Sequence, residues 1–106
     1  MKQANLRLMT LAKAKVVLQT PSFKKATKKL KANQKKDLDS AIKELMINPD
    51  LGDQKKGDLS FLHVYKFKMN KQLTLLGYNF DSGKLTLELL ALGSHENFYR
   101  DLKRKR

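Results

Sequence analysis

From Phe61 onward the chain changes its period. Phe61, His63, Tyr65, Phe67 and Met69 alternate with Leu62, Val64, Lys66 and Lys68. A repeat of two is that of a strand, whose successive side chains point to opposite faces. Asn70-Lys71 supplies a tight turn, Gln72 to Phe80 a second strand, Asp81-Ser82-Gly83 another turn, and Lys84 to Leu92 a third strand. Three hairpin-linked strands form an antiparallel meander, and such a sheet needs another layer to cover its apolar face.

The preceding residues supply that layer. Lys15 to Gln19 reads as a short strand from its Val16-Val17 pair, ended by Thr20-Pro21 because proline donates nothing to a ladder. Ser22 stands where a helix N-cap is expected. Phe23, Ala26, Thr27 and Leu30 then form one stripe at helical spacing, while Lys24, Lys25, Lys28, Lys29 and Lys31 cover the other sides. After a break near Ala32-Asn33, Leu38, Ile42, Leu45 and Met46 give a second stripe, stopped by Asn48-Pro49-Asp50. Residues 49–60 read as a polar loop.

The expected fold is therefore α+β: an N-terminal strand, a two-helix hairpin packed on a mainly antiparallel sheet, and a three-stranded C-terminal meander. Residues 1–12 read as an N-terminal extension and residues 13–106 as a single domain. A chain of 106 residues supports one modest core.

Composition narrows the chemistry. With no cysteine there is no disulfide, thiol nucleophile or cysteine-bound zinc, and two histidines scarcely hold a transition metal, so neither metal nor cofactor is expected. The first residues are interrupted by Lys2, Arg7, Lys13 and Lys15, which leaves no signal-peptide block or membrane span and points to a cytoplasmic protein. A formal net charge of +13 makes a polyanion the expected partner, nucleic acid first.

Lys66 and Lys68 are two residues apart on one strand, so both project from the face opposite Tyr65, Phe67 and Met69. They are either the wet face of a half-buried strand or two ammonium groups about 7 Å apart that span neighbouring phosphates. His95, just past the last strand, reads either as a loop histidine capping a carbonyl or as a proton shuttle for phosphodiester cleavage. Tyr99, four residues on, either stacks on a base or pins the tail to the sheet with Phe98. His63 shares the side of Tyr65 and Phe67 and reads as packing. Glu88, an acid in an apolar strand, reads either as an ion-pair partner of Lys66 or Lys68, the first expectation, or as a proton acceptor beside them. Lys28, Lys71, Arg100, Lys103 and Arg104 are candidate RNA-backbone contacts, although charged helix faces and termini are commonly just solvated. No phosphate-loop, dinucleotide, nucleophile-elbow or zinc-protease motif occurs.

The segments "TPSFKKATKKL", "NPDLGDQKKGDL", "YKFKM" and "YNFDSGKLTLELLALGSHENFYRDLKR", in this order and spacing, resemble the RelE/ParE superfamily of toxins from type II toxin–antitoxin systems over roughly residues 14–104. The resemblance implies a helical hairpin on a mainly antiparallel sheet and a cognate antitoxin. In the RelE branch it implies a ribosome-dependent endoribonuclease that cuts mRNA without a metal, the 2′-hydroxyl attacking the adjacent phosphate. On that resemblance Lys66 and Lys68 work at the scissile phosphate, His95 is the general acid and Tyr99 the aromatic base-stacker. A second-strand arginine of RelE falls nearest to Leu75. Losing such a donor costs about 3 kcal/mol, roughly a hundredfold in rate, unless Lys71 or Arg100 substitutes. The ParE branch implies instead a non-enzymatic inhibitor of DNA gyrase, and a basic RNA-binding module that never cuts is a third reading.

Overall fold

The computed structural model describes residues 12–94 together with 98 and 99. Its elements run β1 (Val16–Gln19), α1 (Pro21–Lys28), α2 (Ala32–Ile47), β2 (Asp53–Gln54), a single 3-10 turn at Gly57–Leu59, β3 (His63–Met69), β4 (Gln72–Asp81) and β5 (Thr86–Gly93). Five strands form one sheet in the order β1-β5-β4-β3-β2. β1 lies parallel to β5 and every other pairing is antiparallel. This is the α+β architecture expected from the sequence. The proposed extension, residues 1–12, lies outside the described residues except for Ala12.

α1 starts two residues earlier than Ser22 would dictate. Thr20 is the N-cap: its Oγ1 accepts from the Phe23 N–H at 3.1 Å, and Pro21 occupies the first helical position, where its fixed φ suits the helix. The Thr20 hydroxyl also donates to the Leu90 carbonyl at 2.9 Å, which fastens the helix start to β5. α2 begins at Ala32, where the Gln34 side chain accepts from the Lys31 N–H at 2.8 Å. It buries Leu38, Ala41 and Leu45. α1 packs on β5 and α2 on β3, so both helices cover one face of the sheet. Among the described residues no helix is long and apolar enough to cross a membrane.

The meander follows the expected turns with two adjustments. Asn70 and Lys71 both take positive φ, 51° and 70°, as a two-residue hairpin turn requires, and the Asn70 N–H donates to Asp37 Oδ2 of α2 at 2.7 Å. At the second turn, Asp81 Oδ1 accepts from the Gly83 and Lys84 N–H groups at 3.0 and 3.3 Å, and Leu85 takes a positive φ of 51°. That longer turn delays β5 to Thr86. A register shift pairs Gly77 with Ala91 but Tyr78 with Leu89, leaving Leu90 as the extra residue of a β-bulge.

The segment read as a plain loop is partly built. β2 pairs Asp53 with Val64 and Gln54 with His63. Tyr78 reaches it from β4, donating to the Pro49 carbonyl at 2.5 Å and accepting from the Gly52 N–H at 2.9 Å. A Cβ at Gly52 would stand 2.7 Å from that tyrosine's ring and hydroxyl, so the close approach requires glycine. Burial pushes the Tyr78 pKa up, and Asp50 and Asp53 add to the shift while the Gly52 N–H opposes it.

Two apolar clusters result. The larger lies under the helices and joins Phe23, Leu38 and Leu45 to Met69, Leu76, Tyr78, Leu87 and Leu89. The smaller lies on the other face, where Leu62, Val64 and Leu75 are covered by Phe98.

Candidate functional site

β3 sorts its side chains as the period predicted. Tyr65 and Phe67 pack toward the larger core, while Lys66 and Lys68 stand exposed on the opposite, helix-free face. Across the ladder Lys66 pairs with Leu75 and Lys68 with Leu73. Leu75 is fully buried, whereas Leu73 is 56% exposed. The structure therefore separates two positions that the sequence does not. A guanidinium at 75 would have to be buried in an apolar cluster, and Leu73 is the place on β4 from which a side chain beside Lys68 reaches solvent.

Phe98 and Tyr99 close one side of this face. The Phe98 N–H donates to the Ser94 carbonyl at 2.8 Å, forming a helical turn. Phe98 is 2% exposed, and a Cβ at Gly77 would meet its ring at 2.7 Å, so the absence of a side chain on β4 makes the seat for this ring. Tyr99 meets Phe98 edge-on, centroids 5.0 Å apart at 85°, and packs against the smaller cluster. Lys66, Lys68 and Tyr99 thus share one face. The tail-pinning reading of Phe98 holds, and Tyr99 stays half-buried at the edge of the same surface.

Lys71 sits in the exposed β3–β4 turn at the end of the lysine-bearing strand. Lys28 is exposed on α1, in the helix layer on the other side of the sheet, so it is not brought together with Lys66 and Lys68. His95, Arg100, Lys103 and Arg104 lie outside the described residues. Glu88 does not pair with Lys66 or Lys68: the register places it opposite Asn79, whose Nδ2 donates to its Oε1 at 3.1 Å, and β4 stands between it and the lysines. His63 packs as expected, stacked on Tyr78 with centroids 5.3 Å apart, and its Nδ1 is buried with no hydrogen-bond partner among the described residues.

One basic residue escaped the sequence reading. Lys55, just after β2, places its Nζ 5.7 Å from the centre of the Tyr99 ring. Within "GDQKKGDL" nothing in period or composition distinguishes it from Lys56; the fold does, leaving Lys56 exposed and Lys55 half-buried. On its helix side β3 is tied by Tyr65, whose hydroxyl donates to Glu44 Oε2 at 2.6 Å. That bond, with burial and the Glu44 charge, pushes the Tyr65 pKa up to about 12. No cluster of histidine and carboxylate residues suited to a metal occurs among the described residues.

An arrangement of two exposed ammonium groups beside a half-buried aromatic ring is suited to holding an anion next to a planar group. Comparison with known proteins agrees in fold. The E. coli RelE toxin in the intact RelBE toxin–antitoxin complex superposes with a TM-score of 0.61 at 16% identity, covering 74% of this chain and 94% of that one. A doubly substituted E. coli RelE in the free state gives 0.63 at 18%, covering 79% and 86%. The same mutant bound to an antitoxin RelB peptide gives 0.62 at 16%, covering 84% and 94%. No curated protein sequence matches the chain. The model of the ParE-like toxins of type II bacterial toxin–antitoxin systems matches residues 17–103, and the chain belongs to that family.

Proposed function

We propose that this toxin is a ribosome-dependent endoribonuclease that cuts mRNA in the cytoplasm, inhibits translation and is neutralised by a cognate antitoxin. The observation that carries the reading is the common face of Lys66, Lys68 and Tyr99, with both lysines exposed and the ring half-buried. A strand alternating apolar and cationic residues gives two phosphate-binding groups a rigid mount, which a loop would not.

In the proposed reaction a 2′-oxygen forms a bond to the adjacent phosphorus while the bond from phosphorus to the 5′-oxygen breaks. Lys66 or Lys68, reacting in its neutral amine form, takes the 2′-hydroxyl proton and becomes an ammonium, and the other lysine, as an ammonium, offsets the charge that builds on the phosphorane. His95, as an imidazolium, gives its proton to the departing 5′-oxygen. Tyr99 stacks on a base and orients the nucleotide. Lys71, Arg100, Lys103 and Arg104 hold the RNA backbone around this centre, and Lys28 meets phosphates from the helix side. The products are a 2′,3′-cyclic phosphate and a 5′-hydroxyl. The antitoxin, an acidic or amphipathic segment, wraps the basic surfaces; the RelE structures solved with antitoxin support the existence of an antitoxin partner.

A gyrase inhibitor is the second reading, favoured by leucines at both 73 and 75, which leave β4 without a cation beside Lys66 and Lys68. A translation reaction with a defined mRNA separates the two. The nuclease reading expects new 3′ ends carrying cyclic phosphate, abolished by Lys66→Ala combined with His95→Ala. Intact mRNA together with blocked DNA supercoiling would overturn it in favour of gyrase.

A further inference from the structure

We infer that Lys55 is a positioning residue of this site: its ammonium group braces the Tyr99 ring over the helix-free face and adds one phosphate contact beside the nucleotide stacked there. The phosphate contact rests on the RNA reading above; the brace does not.

The geometry begins with the backbone. The Lys55 N–H donates to the Leu62 carbonyl at 2.9 Å, and Gln54 Nε2 donates to the Ser60 carbonyl at 3.2 Å, so the loop from 55 to 62 is closed at its base. Lys55 is therefore mounted on the end of β2 rather than on a free loop. From there its Nζ lies 5.7 Å from the ring centre of Tyr99. At that range an ammonium is attracted to the π-face by the ring quadrupole. The ring is held on another side by Phe98, edge-on at 5.0 Å, and Phe98 is itself seated over Gly77.

Lys55 and Phe98, contacts of different chemistry, thus both bear on the orientation of the Tyr99 ring. A nucleotide stacking on that ring carries its own phosphate past the ring edge. A lysine has a flexible four-carbon stem and three donors, so the same ammonium can turn from the π-face to that phosphate. Lys55 would then extend the cationic row of Lys66 and Lys68 from β3 toward the sheet edge formed by β2.

The test uses the full chain with Lys55→Met, which keeps the apolar stem, and Lys55→Arg, which keeps the cation, each alone and with Tyr99→Ala. Two readouts are taken: the Tyr99 ring resonances of the RNA-free protein by NMR, and affinity for a short single-stranded RNA across a salt series. The expected result is that Lys55→Met shifts the ring resonances and weakens RNA binding about threefold to tenfold. It should also lower the slope of log K against log salt by about 0.7, the value for one phosphate contact on a single strand. Lys55→Arg should restore both, and Tyr99→Ala should shrink the affinity effect of Lys55→Met. Unmoved Tyr99 resonances in Lys55→Met would overturn the brace, and an unchanged salt slope would overturn the phosphate contact. If the wild-type protein binds no RNA, the proposed function fails and the phosphate contact with it, while the ring resonances still decide the brace.

Discussion

On the helix side of the sheet, Leu76, Tyr78, Leu87 and Leu89 are sealed under Phe23, Leu38 and Leu45. On the other side the same strands present Lys66, Lys68 and Leu73 to solvent, and Phe98 covers Leu62, Val64 and Leu75. Among the described residues, one face is covered by two helices and the other by Phe98 and Tyr99. Stability is thus concentrated on the first face, which leaves the second free to carry closely spaced like charges that a core would not tolerate.

That contrast makes unequal predictions for the two sides. The largest effect on folding belongs to the helix face: Leu45→Ala, at a fully buried site, should cost about 2–5 kcal/mol in chemical denaturation. A loss under 1 kcal/mol would mean that the helix layer is less tightly packed than described. Gly77→Ala attacks the other face where the Phe98 ring is seated. Its new Cβ meets the Phe98 ring at 2.7 Å and a Leu62 methyl at 3.0 Å, and the expected cost is about 1–3 kcal/mol. The C-terminal turn should also become sensitive to limited proteolysis, and unchanged protection would show that Phe98 is not held there.

The smallest effect is electrostatic. The Tyr65 pKa is raised in the folded state to about 12 from its ordinary 10.0, so the folded protein holds that proton more tightly than the unfolded chain. Its stabilising contribution is complete below pH 10 and is lost as pH rises toward 12. Tyr65→Phe should cost about 0.5 kcal/mol at neutral pH, since the hydrogen bond to Glu44 is solvent-exposed. The variant should also lose less stability than wild type between pH 10 and 12, as measured by denaturant midpoints at each pH. Parallel pH profiles for the two proteins would contradict the assignment.

The sequence carried the larger features because they are periodic. Alternation along β3 put Lys66 and Lys68 on one face and His63 with Tyr65 and Phe67 on the other, and the helical stripes marked α1 and α2. Apart from the local cap of α1, what escaped depends on contacts distant in the chain. Thr20 caps α1 in place of Ser22 because Pro21 prefers the first helical position. β2 has two residues, too few for any period to show, and it exists through its pairing with β3. The bulge at Leu90 shifts the register of β5 without leaving a mark in its apolar run. Glu88 was expected beside the lysines, but strand order, which alternation does not encode, places it against Asn79. Lys55 joins Tyr99 only once two segments far apart in the chain are folded together.

The division between a stabilising face and a working face is tested most directly by comparing cleavage and stability in one double variant, Lys66→Met with Lys68→Met. In a translation reaction with a defined mRNA, at matched folded protein, new 3′ ends should form at least about a hundredfold more slowly than with wild type. The unfolding free energy should stay within about 0.5 kcal/mol of the wild-type value. Cleavage at the wild-type rate, or a loss of activity that simply follows a loss of fold, would contradict the account.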